Sequence, residues 1–528
     1  MSISGEELPK FGRWRNALWP VHRFELKKLI PMLLIFFLVS FDYNVLRILK
    51  DTLVVTAKSS GAEVIPFIKV WVMFPGAILM TYLFTRFSNR LKRETVFYAM
   101  MGIFLGYFLL FAAVLYPIRD QLHPNQTADF LSTILPPGFK GMIAMFRNWT
   151  LTSFYVMSEL WSNIILSLLF WGFANQVTRI GEAKRFYGLF GIGANLSGVA
   201  AGEASVWFSS QQFNPNLPFG TDAWGQSMTM LVGLVILAGF GALIVFRWLN
   251  TSILKDARFY DPVEEKKASG VRGKLSMRES FGYLFRSRYM ICLALIVIAY
   301  NIVINLVEVV WKHEMRELYP SPSDYNIYMS HVTSIIGVVA TLAALFISGN
   351  SIRKCGWTFT ALLTPVILFF TSIGFFAFFF AKGDMADVVV NLFGATPLAI
   401  VVFFGSAQNI LSRSAKYTVF DATKEMAFVP LSPEDQLKGK PVIDGVCSRL
   451  GKSGGSVIHQ ALLLMFVTIT ASAPYVAVFL LAVIGVWIGA TRLLGKQFVE
   501  LTAPHPVSTK IEVEPIVSNS PALSGAVQ

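Results

Sequence analysis

The chain has 528 residues, of which 54% are hydrophobic and only 15% are charged, and its mean hydropathy is +0.56. A soluble protein carries about a quarter charged residues, so this composition excludes an ordinary soluble protein. The apolar residues come in long runs, and roughly 20 of them are enough for one helix to cross a hydrocarbon core about 30 Å thick. The net charge of +13 therefore indicates basic inner loops of a membrane protein rather than a nucleic-acid-binding surface.

The apolar runs predict an all-α integral membrane protein with twelve transmembrane helices in two six-helix halves, similar to major-facilitator-type carriers. The first run follows Lys27 and Lys28 and has no small-residue cleavage site, so we interpret it as a first helix rather than a signal peptide. The predicted spans are 26–57, 64–85, 94–116, 149–175, 186–208, 226–248, 289–318, 328–349, 357–381, 389–411, 454–471 and 474–492.

The polar segments between these spans predict four regions of the chain. They are an N-terminal half at 1–250, a basic cytoplasmic linker at 251–288, a C-terminal half at 289–495 and a disordered cytoplasmic tail at 496–528.

The distribution of basic residues predicts that both termini are cytoplasmic. Under that topology 35 of the 45 Lys and Arg residues lie on the inner side and 8 on the outer side, with Arg47 and Lys69 inside spans. Short cytoplasmic loops carry such an excess of Lys and Arg.

Two weak internal echoes suggest that the halves arose by duplication. Asn44-Val-Leu-Arg47 in the first span resembles Asn305-Leu-Val-Glu308 in the seventh, and Phe170-Trp-Gly172 in the fourth resembles Phe403-Phe-Gly405 in the tenth. In a duplicated carrier the substrate site lies between the halves near the middle of the membrane.

Several charged residues fall inside apolar spans, where each costs at least ~2.5–3.5 kcal/mol unless it faces a cavity or a partner. Helical spacing aligns them in three stripes with other polar residues, and these stripes predict a polar cavity lining. An alternative is that these residues form salt bridges between helices, such as Arg47 with Glu308. The stripes are Tyr43, Arg47 and Lys50 in the first span, Tyr155, Glu159 and Asn163 in the fourth, and Asn301, Asn305, Glu308 and Lys312 in the seventh.

Other charges have simpler interpretations. Four basic residues lie near the ends of spans, where long side chains reach the interface: Lys58, Lys69, Arg316 and Lys382. Asp42, inside the first span, stays ambiguous.

The segment between the tenth and eleventh spans is predicted to be a basic loop that includes Arg413 and Lys416. Its Gly451-Lys452-Ser453 resembles the end of a phosphate loop, but that motif needs glycine at position 446, which is valine, and a preceding strand. We therefore reject an ATP-hydrolysing site. Lys452 at a helix start could still attract a polyanion, or the segment could be an ordinary basic loop.

From the residues alone, the chain is a secondary carrier with a cationic cavity for an organic anion. Phosphate groups suit Lys and Arg together, and aromatic residues such as Tyr43, Tyr155, Phe154 and Trp161 could stack a base. A membrane-embedded enzyme would need a nucleophile–base pair or a metal cluster, but the six His and three Cys are scattered. We expect no enzymatic activity, no cofactor, no metal and no nucleic-acid partner. A receptor or scaffold would leave the intramembrane charges unexplained.

The motifs between about residues 40 and 495 resemble one family, the nucleotide transporters of chlamydiae, rickettsiae and plastids known as ATP/ADP translocases. No plastid import extension precedes the first span, so the resemblance favours the bacterial branch. The resembling segments are Arg47–Lys58, Glu159–Trp161, Phe170–Gln176, Glu182–Gly191, Ile304–Val309, Ser414–Tyr417, Lys424–Ala427 and Leu450–Gly455.

The resemblance implies an antiporter in the bacterial inner membrane that exchanges host ATP for bacterial ADP, with phosphate as a candidate companion of ADP. It assigns important charges to Lys50, Glu159 and Glu308, and we extend this to Arg47, Lys416 and Lys452. The family also contains proton-coupled nucleotide symporters and an NAD carrier, which are the alternatives. We expect a monomer in the lipid bilayer.

The expected substrate-binding set combines the stripes with these two basic residues. It comprises Tyr43, Arg47, Lys50, Tyr155, Glu159, Asn163, Asn301, Asn305, Glu308, Lys416 and Lys452.

The expected mechanism is alternating access. Lys50 and Arg47 would hold the phosphates, and Glu159 and Glu308 would pair with these cations in the empty site. Unpaired cations are costly in a membrane, so an empty carrier would reorient slowly and transport would be an obligate exchange.

Overall fold

The structure, a computed structural model, describes residues 21–256, 259, 287–384, 390–391, 394–432, 435, 439–440 and 442–502. These residues form helices and connecting segments with no β-strand among them, which confirms the predicted all-α fold. Most of the predicted linker at 251–288 and residues 503–528 of the predicted tail lie outside the described residues.

The described chain contains twelve long helices, several of which continue through π-helical segments. In the first half they are α1 (Leu26–Val55), α2 (Val64–Trp71 continued by Met73–Arg90), α3 (Arg93–Leu110 and Phe111–Leu115), α4 (Trp149–Trp161, Ser162–Phe170 and Trp171–Val177), α5 (Ile180–Ser209) and α6 (Ala223–Trp248 and Leu249–Ile253). In the second half they are α7 (Arg288–Leu318), α8 (Pro322–Ala343 and Ala344–Ser348), α9 (Gly349–Ala381), α10 (Pro397–Ala415, Lys416–Phe420 and Asp421–Ala427), α11 (Ser448–Phe466) and α12 (Ile469–Thr502).

Ten of these helices are long and apolar enough to cross a membrane. The two others, α5 and α11, do not belong to that group. Helix α5 packs mainly against α8 and α1, and α11 packs mainly against α7 and α2. The count of twelve transmembrane helices therefore stays a prediction, whereas the membrane-spanning, all-helical architecture is established.

The predicted position of the tenth span, 389–411, is wrong. Helix α10 begins at Pro397, after the side chain of Thr396 accepts a hydrogen bond from the backbone N–H of Ala399, and it continues to Ala427. Arg413 and Lys416 therefore lie in a helix and not in a loop. Hydropathy ended the span early because it counts both as solvated charges, although Arg413 pairs with Glu308 of α7 and Lys416 pairs with Asp421 of its own helix.

The two halves repeat the same packing. Helix α1 packs against α4, α5 and α6. Helix α7 packs against α10, α11 and α12, which are the equivalent helices of the second half. The two most extensive contacts between the halves are those of α5 with α8 and of α2 with α11. This repeated arrangement supports the duplication predicted from the sequence.

The backbones of α5 and α8 come very close together. A Cβ atom at Gly202 would lie 2.7 Å from the carbonyl oxygen of Ser330, and one at Gly337 would lie 2.6 Å from the carbonyl oxygen of Asn195. The pairing of 202 with 330 and of 195 with 337 makes the two helices antiparallel.

We call the end of the bundle where α1 begins and α12 ends the terminal face, and the opposite end the distal face. Lys28 near the start of α1 contacts Glu182 near the start of α5. The start of α9 meets the end of α12, where Trp357 stacks on Phe498.

Residues 116–148, which we call the cap segment, connect α3 to α4 at the distal face. The segment folds into four short helices, Arg119–Leu122, Asn125–Ile134, Pro137–Phe139 and Lys140–Arg147. A Cβ at Gly138 would lie 2.8 Å from the Cα of Leu464 at the end of α11, so the backbones of the two halves touch here.

Candidate functional site

A cavity of about 720 Å³ lies between α1, α4 and α5 of the first half and α8 and α10 of the second. Volumes of roughly 300–1,000 Å³ are typical of sites for organic ligands. In α4, α5, α8 and α10 most lining residues belong to the portion nearer the terminal face, for example 185–198 in α5, whereas in α1 they lie around the middle of the helix, at 36–47. The central cavity therefore opens toward the terminal face.

Three basic side chains line the central cavity together with one carboxylate. Arg47 donates a hydrogen bond to the hydroxyl of Thr333 across the two halves at 3.2 Å, and only 8% of Arg47 is exposed. Lys416 pairs with Asp421 at 3.1 Å, and Arg185 pairs with Glu25. Three cations against one lining carboxylate give the cavity a positive potential that attracts an anion.

Aromatic rings form one wall of the same cavity. Trp171 contacts Phe36 and Tyr187 in edge-to-face geometry, with ring centroids 5.5 and 5.0 Å apart. Tyr43 and Tyr417 lie beside Arg47 and Lys416, whose cations are 5.9 and 4.7 Å from the ring centroids. The cavity thus places flat apolar surfaces near cationic groups, as a ligand with a ring and an anionic group requires.

A continuous chain of ion pairs, which we call the ion-pair chain, lies beyond the central cavity and closer to the distal face. Its nitrogen–oxygen distances are 3.3, 3.0, 2.7, 2.8 and 2.9 Å. In spatial order its members are Glu159, Lys50, Asp51, Lys312, Glu308 and Arg413. The chain passes from α4 through α1 and α7 to α10, and therefore crosses the boundary between the halves.

The ion-pair chain is electrically balanced, with three carboxylates and three cations. The side chains of Asp51 and Lys312 at its centre are each 1% exposed. Lys50 also lies 4.0 Å from the centroid of the Tyr155 ring. A buried charge with a partner at each side avoids the large desolvation cost of an isolated ion.

The distal side of the bundle is closed in this conformation. Asn326 of α8 donates to Ser209 of α5 at 2.9 Å, and the hydroxyl of Thr52 in α1 donates to the same asparagine at 3.0 Å. These three residues, all buried, lie in the last turns of α1 and α5 and the first turns of α8. With the cap segment in contact with α11, the closed distal side and open terminal side correspond to one of the two states of an alternating-access carrier.

The predicted site residues fall into three groups. Tyr43, Arg47 and Lys416 line the central cavity. Four others belong to the ion-pair chain or lie against it: Lys50, Tyr155, Glu159 and Glu308. The structure thus brings together seven of the predicted residues in two adjacent layers.

The remaining four predicted residues are more peripheral. Asn305 accepts a hydrogen bond from Lys69, and Asn301 donates to the carbonyl of Val297 in its own helix. Asn163 is half-buried in the π-helical part of α4. Lys452 is exposed on the first turns of α11, although it is close enough to interact electrostatically with Glu159.

Two expected partnerships of charged residues are wrong. Glu308 pairs with Lys312 and Arg413 and not with Arg47, because α10 extends further than predicted and brings Arg413 beside it. Lys69 does not reach the interface but donates to Asn305 across the halves.

Lys382 also differs from the expectation. It pairs with Glu314 at 3.0 Å, so a buried carboxylate holds a side chain that was expected to reach the interface.

The residues missed in the sequence are Asp51, Arg413 and Arg185, together with the role of Lys312. Asp51 adjoins Lys50 in an apolar helix, and an acid beside a base at such depth is itself a signal of a buried ion pair. Arg185 gave no comparable signal, because it follows a polar turn and its place in the cavity depends on how α5 packs.

The apolar helices, the two repeated halves and the cavity between them define a multi-pass membrane carrier of the major-facilitator type. The family model described as "TLC ATP/ADP transporter" matches residues 5–498. The chain belongs to this family, as its motifs predicted.

Relatives with assigned names support the same family. The chain is 48% identical to "ADP,ATP carrier protein 1" of Chlamydia pneumoniae over 499 residues, which cover 94% of this chain and 96% of that protein. It is 40% identical to "ADP,ATP carrier protein 2, chloroplastic" of Arabidopsis thaliana, with 95% of this chain and 80% of that protein covered.

Solved structures support the fold. A D-xylose-proton symporter superposes with a TM-score of 0.52 at 13% identity and covers 89% of this chain and 96% of that chain. A bacterial homologue of the iron transporter ferroportin in its inward-facing state gives 0.51 at 14% identity, with 91% and 99% covered.

Proposed function

We propose that the protein is an ATP/ADP antiporter, which takes up external ATP in exchange for internal ADP across the inner membrane of a bacterium. The observation that carries this proposal is the cavity between the halves, which combines three cations with aromatic walls. Relatives named ADP,ATP carrier proteins supply the substrates. Exchange of host ATP for ADP would make the carrier a route by which a bacterium draws energy from its host.

In this proposal the terminal face is cytoplasmic and the open cavity receives ADP from the cell interior. The strong excess of Lys and Arg in the segments assigned to that side supports this orientation. If Lys50, Lys312, Arg413 and Lys416 are counted as residues of the bundle, two are removed from each side, which leaves 33 Lys and Arg on the inner side and 6 on the outer side.

The substrate would bind with its phosphates near Arg47 and Lys416 and its base toward the wall that contains Trp171. Arginine and lysine are the natural partners of phosphate oxygens, and an aromatic ring offers a stacking surface for adenine. Lys50 lies one turn further along α1 and is held in the ion-pair chain, so it would meet phosphate only after that chain rearranges. Phosphate as a companion of ADP, and a monomeric carrier, belong to the same proposal.

A competition experiment in proteoliposomes tests the substrate assignment. Uptake of labelled ATP into vesicles loaded with ADP is measured while unlabelled ATP, ADP, AMP, adenosine or NAD is added outside. We expect ATP and ADP to compete strongly and adenosine not at all, because the cationic cavity recognises phosphates. Equal competition by adenosine, or stronger competition by NAD than by ADP, would contradict the proposal.

The same assay with Arg47→Gln tests where the phosphates bind. Loss of one hydrogen bond to a charged group costs about 1.5–3 kcal/mol, so the ATP concentration for half-maximal uptake should rise roughly 10- to 100-fold. Lys58→Gln is the matched control, since Lys58 lies just beyond α1 and is exposed. Identical behaviour of the two variants would remove Arg47 from the site.

A further inference from the structure

Asp51 and Lys312 make the one contact of the ion-pair chain that joins the two halves. Lys50, Asp51 and Glu159 belong to the first half, and Lys312 belongs to α7 of the second. The Asp51–Lys312 distance is 2.7 Å, and both side chains are 1% exposed. This contact lies between the central cavity and the closed distal face.

The distal face cannot open while this contact is intact. Opening requires the last turns of α1 to move away from α7 and α8, because Thr52, next to Asp51, is hydrogen-bonded to Asn326. Separating two buried opposite charges is unfavourable unless each finds another partner.

We propose that Asp51 and Lys312 form an ionic lock between the halves, and that these two positioning residues make reorientation depend on bound nucleotide. This inference rests on the proposed function and goes beyond it, because neither residue need touch the substrate. The lock holds the distal side closed when the cavity is empty.

The neighbouring ion pairs provide a way for nucleotide to release the lock. Arg413, which holds Glu308 at 2.9 Å, lies three residues before Lys416 in α10 and thus on the same side of that helix as a cation of the cavity. Phosphates bound near Lys416 attract Arg413, which frees Glu308 to hold Lys312 alone. Asp51 then keeps Lys50, and every charge stays paired while the lock separates.

The lock can be removed without creating an unpaired buried charge. In Asp51→Asn, Lys50 keeps Glu159 and Lys312 keeps Glu308. In Lys312→Gln, Asp51 keeps Lys50, and Glu308 keeps Arg413. Both variants therefore lose the contact between the halves while the other ion pairs stay in place.

Glu314→Gln is the matched control. Glu314 lies two residues from Lys312 in the same helix, is equally buried and pairs with Lys382, directly after α9, at 3.0 Å. Both partners belong to the second half, so this variant removes a buried ion pair without affecting the boundary between halves.

Two measurements test the lock. The first is uptake of labelled ATP into vesicles that contain either ADP or no nucleotide, expressed as a ratio. The second is the rate at which a membrane-impermeant maleimide labels Ser205→Cys from the distal side, in right-side-out vesicles and with exposed Cys355 replaced by serine.

Ser205 suits the labelling experiment because it lies in the closed interface. It is fully buried in α5, between Gly202 and Ser209 on the side that faces α8. Its hydroxyl has no hydrogen-bond partner among the described residues, so replacement by cysteine removes no contact there.

We expect Asp51→Asn and Lys312→Gln each to raise the labelling rate roughly 10-fold and to permit ATP uptake without internal ADP. The double variant should match either single variant, because all three remove the same interaction. Glu314→Gln should behave as the unmodified protein does in both measurements.

The proposal is overturned if the two single variants match Glu314→Gln in labelling and uptake, or if their effects add in the double variant. If neither single variant is recovered in the membrane, the double variant, in which both charged residues are replaced by neutral ones, is tested by the same two measurements. A double variant that matches Glu314→Gln in both would overturn the proposal. A protein that labels as expected but never exchanges ATP for ADP would refute the proposed function and leave the lock intact.

Discussion

Lys50 illustrates how much one side chain in this protein depends on its surroundings. It contacts the carboxylates of Asp51 and Glu159 and the face of the Tyr155 ring, and its side chain is 5% exposed. A lysine at this depth stays charged only because of these partners. The same ammonium is therefore both a structural link in the ion-pair chain and a candidate phosphate ligand.

Replacing Lys50 tests whether transport depends on this side chain. Lys50→Gln leaves Glu159 without its cation, and removal of one member of a buried pair costs about 3–5 kcal/mol when burial is complete. We expect ATP/ADP exchange per inserted molecule to fall at least about 10-fold, and Lys50→Arg to retain more activity than Lys50→Gln. The measurement is initial exchange rate in proteoliposomes.

Lys140→Gln is the control for this substitution, because its side chain is 63% exposed and its pair with Glu63 lies at the distal surface. Full exchange by Lys50→Gln would show that Lys50 has no part in transport.

The sequence predicted the members of this site better than their contacts. Helical spacing places Arg47 and Lys50 on one side of α1, and both are near the centre of the bundle. Spacing within one helix could not show that Arg47 faces the cavity while Lys50 faces α4. That difference depends on the positions of Thr333 and Glu159 in other helices.

At the scale of elements, α5 and α8 form the most intimate contact between the halves. Gly202 and Gly337 allow this close approach because they have no side chain. Backbone atoms of the facing helix occupy the space that a Cβ atom at either position would need. Both are helical positions, so the glycines serve close approach rather than an unusual backbone conformation. Gly202 lies in the distal part of α5, so this portion of the contact belongs to the closed distal side.

Enlarging Gly202 should favour the open distal side. Overpacking a tight interface typically costs 1–3 kcal/mol, which shifts an equilibrium about 5- to 150-fold. We expect Gly202→Val to lower ATP/ADP exchange and to raise distal labelling of Ser205→Cys. Gly233→Val in α6 is the control, since no atom lies within 4 Å of a Cβ at that position.

An unchanged labelling rate in Gly202→Val, with normal amounts of protein in the membrane, would show that the α5–α8 contact does not govern the distal opening.

Helix existence could be predicted from hydropathy, but the ends of helices with paired charges could not. Helix α10 extends to Ala427 because Arg413 pairs with Glu308 of α7 and Lys416 pairs with Asp421 of α10 itself. The more polar α5 and α11 were also predicted from their apolar runs, although neither is among the ten described helices that are long and apolar enough to cross a membrane.

At the scale of the whole molecule, a balanced ion-pair chain lies next to a cavity with excess positive charge. Lys416 and Arg185 pair with Asp421 and Glu25, whereas Arg47 has no carboxylate partner among the described residues, and moving such a cation through the membrane is unfavourable. Bound nucleotide neutralises Arg47, and by the proposed lock it also frees the halves. Both effects favour reorientation of the loaded carrier, which is the physical requirement for exchange.

The most direct test of this account is uptake of labelled ATP by the reconstituted protein into vesicles with ADP inside, with no nucleotide inside, and with a protonophore present. The account predicts rapid uptake only with internal ADP, and no effect of the protonophore on that exchange. Equal uptake into empty vesicles, abolished by the protonophore, would contradict it and indicate a proton-coupled nucleotide symporter.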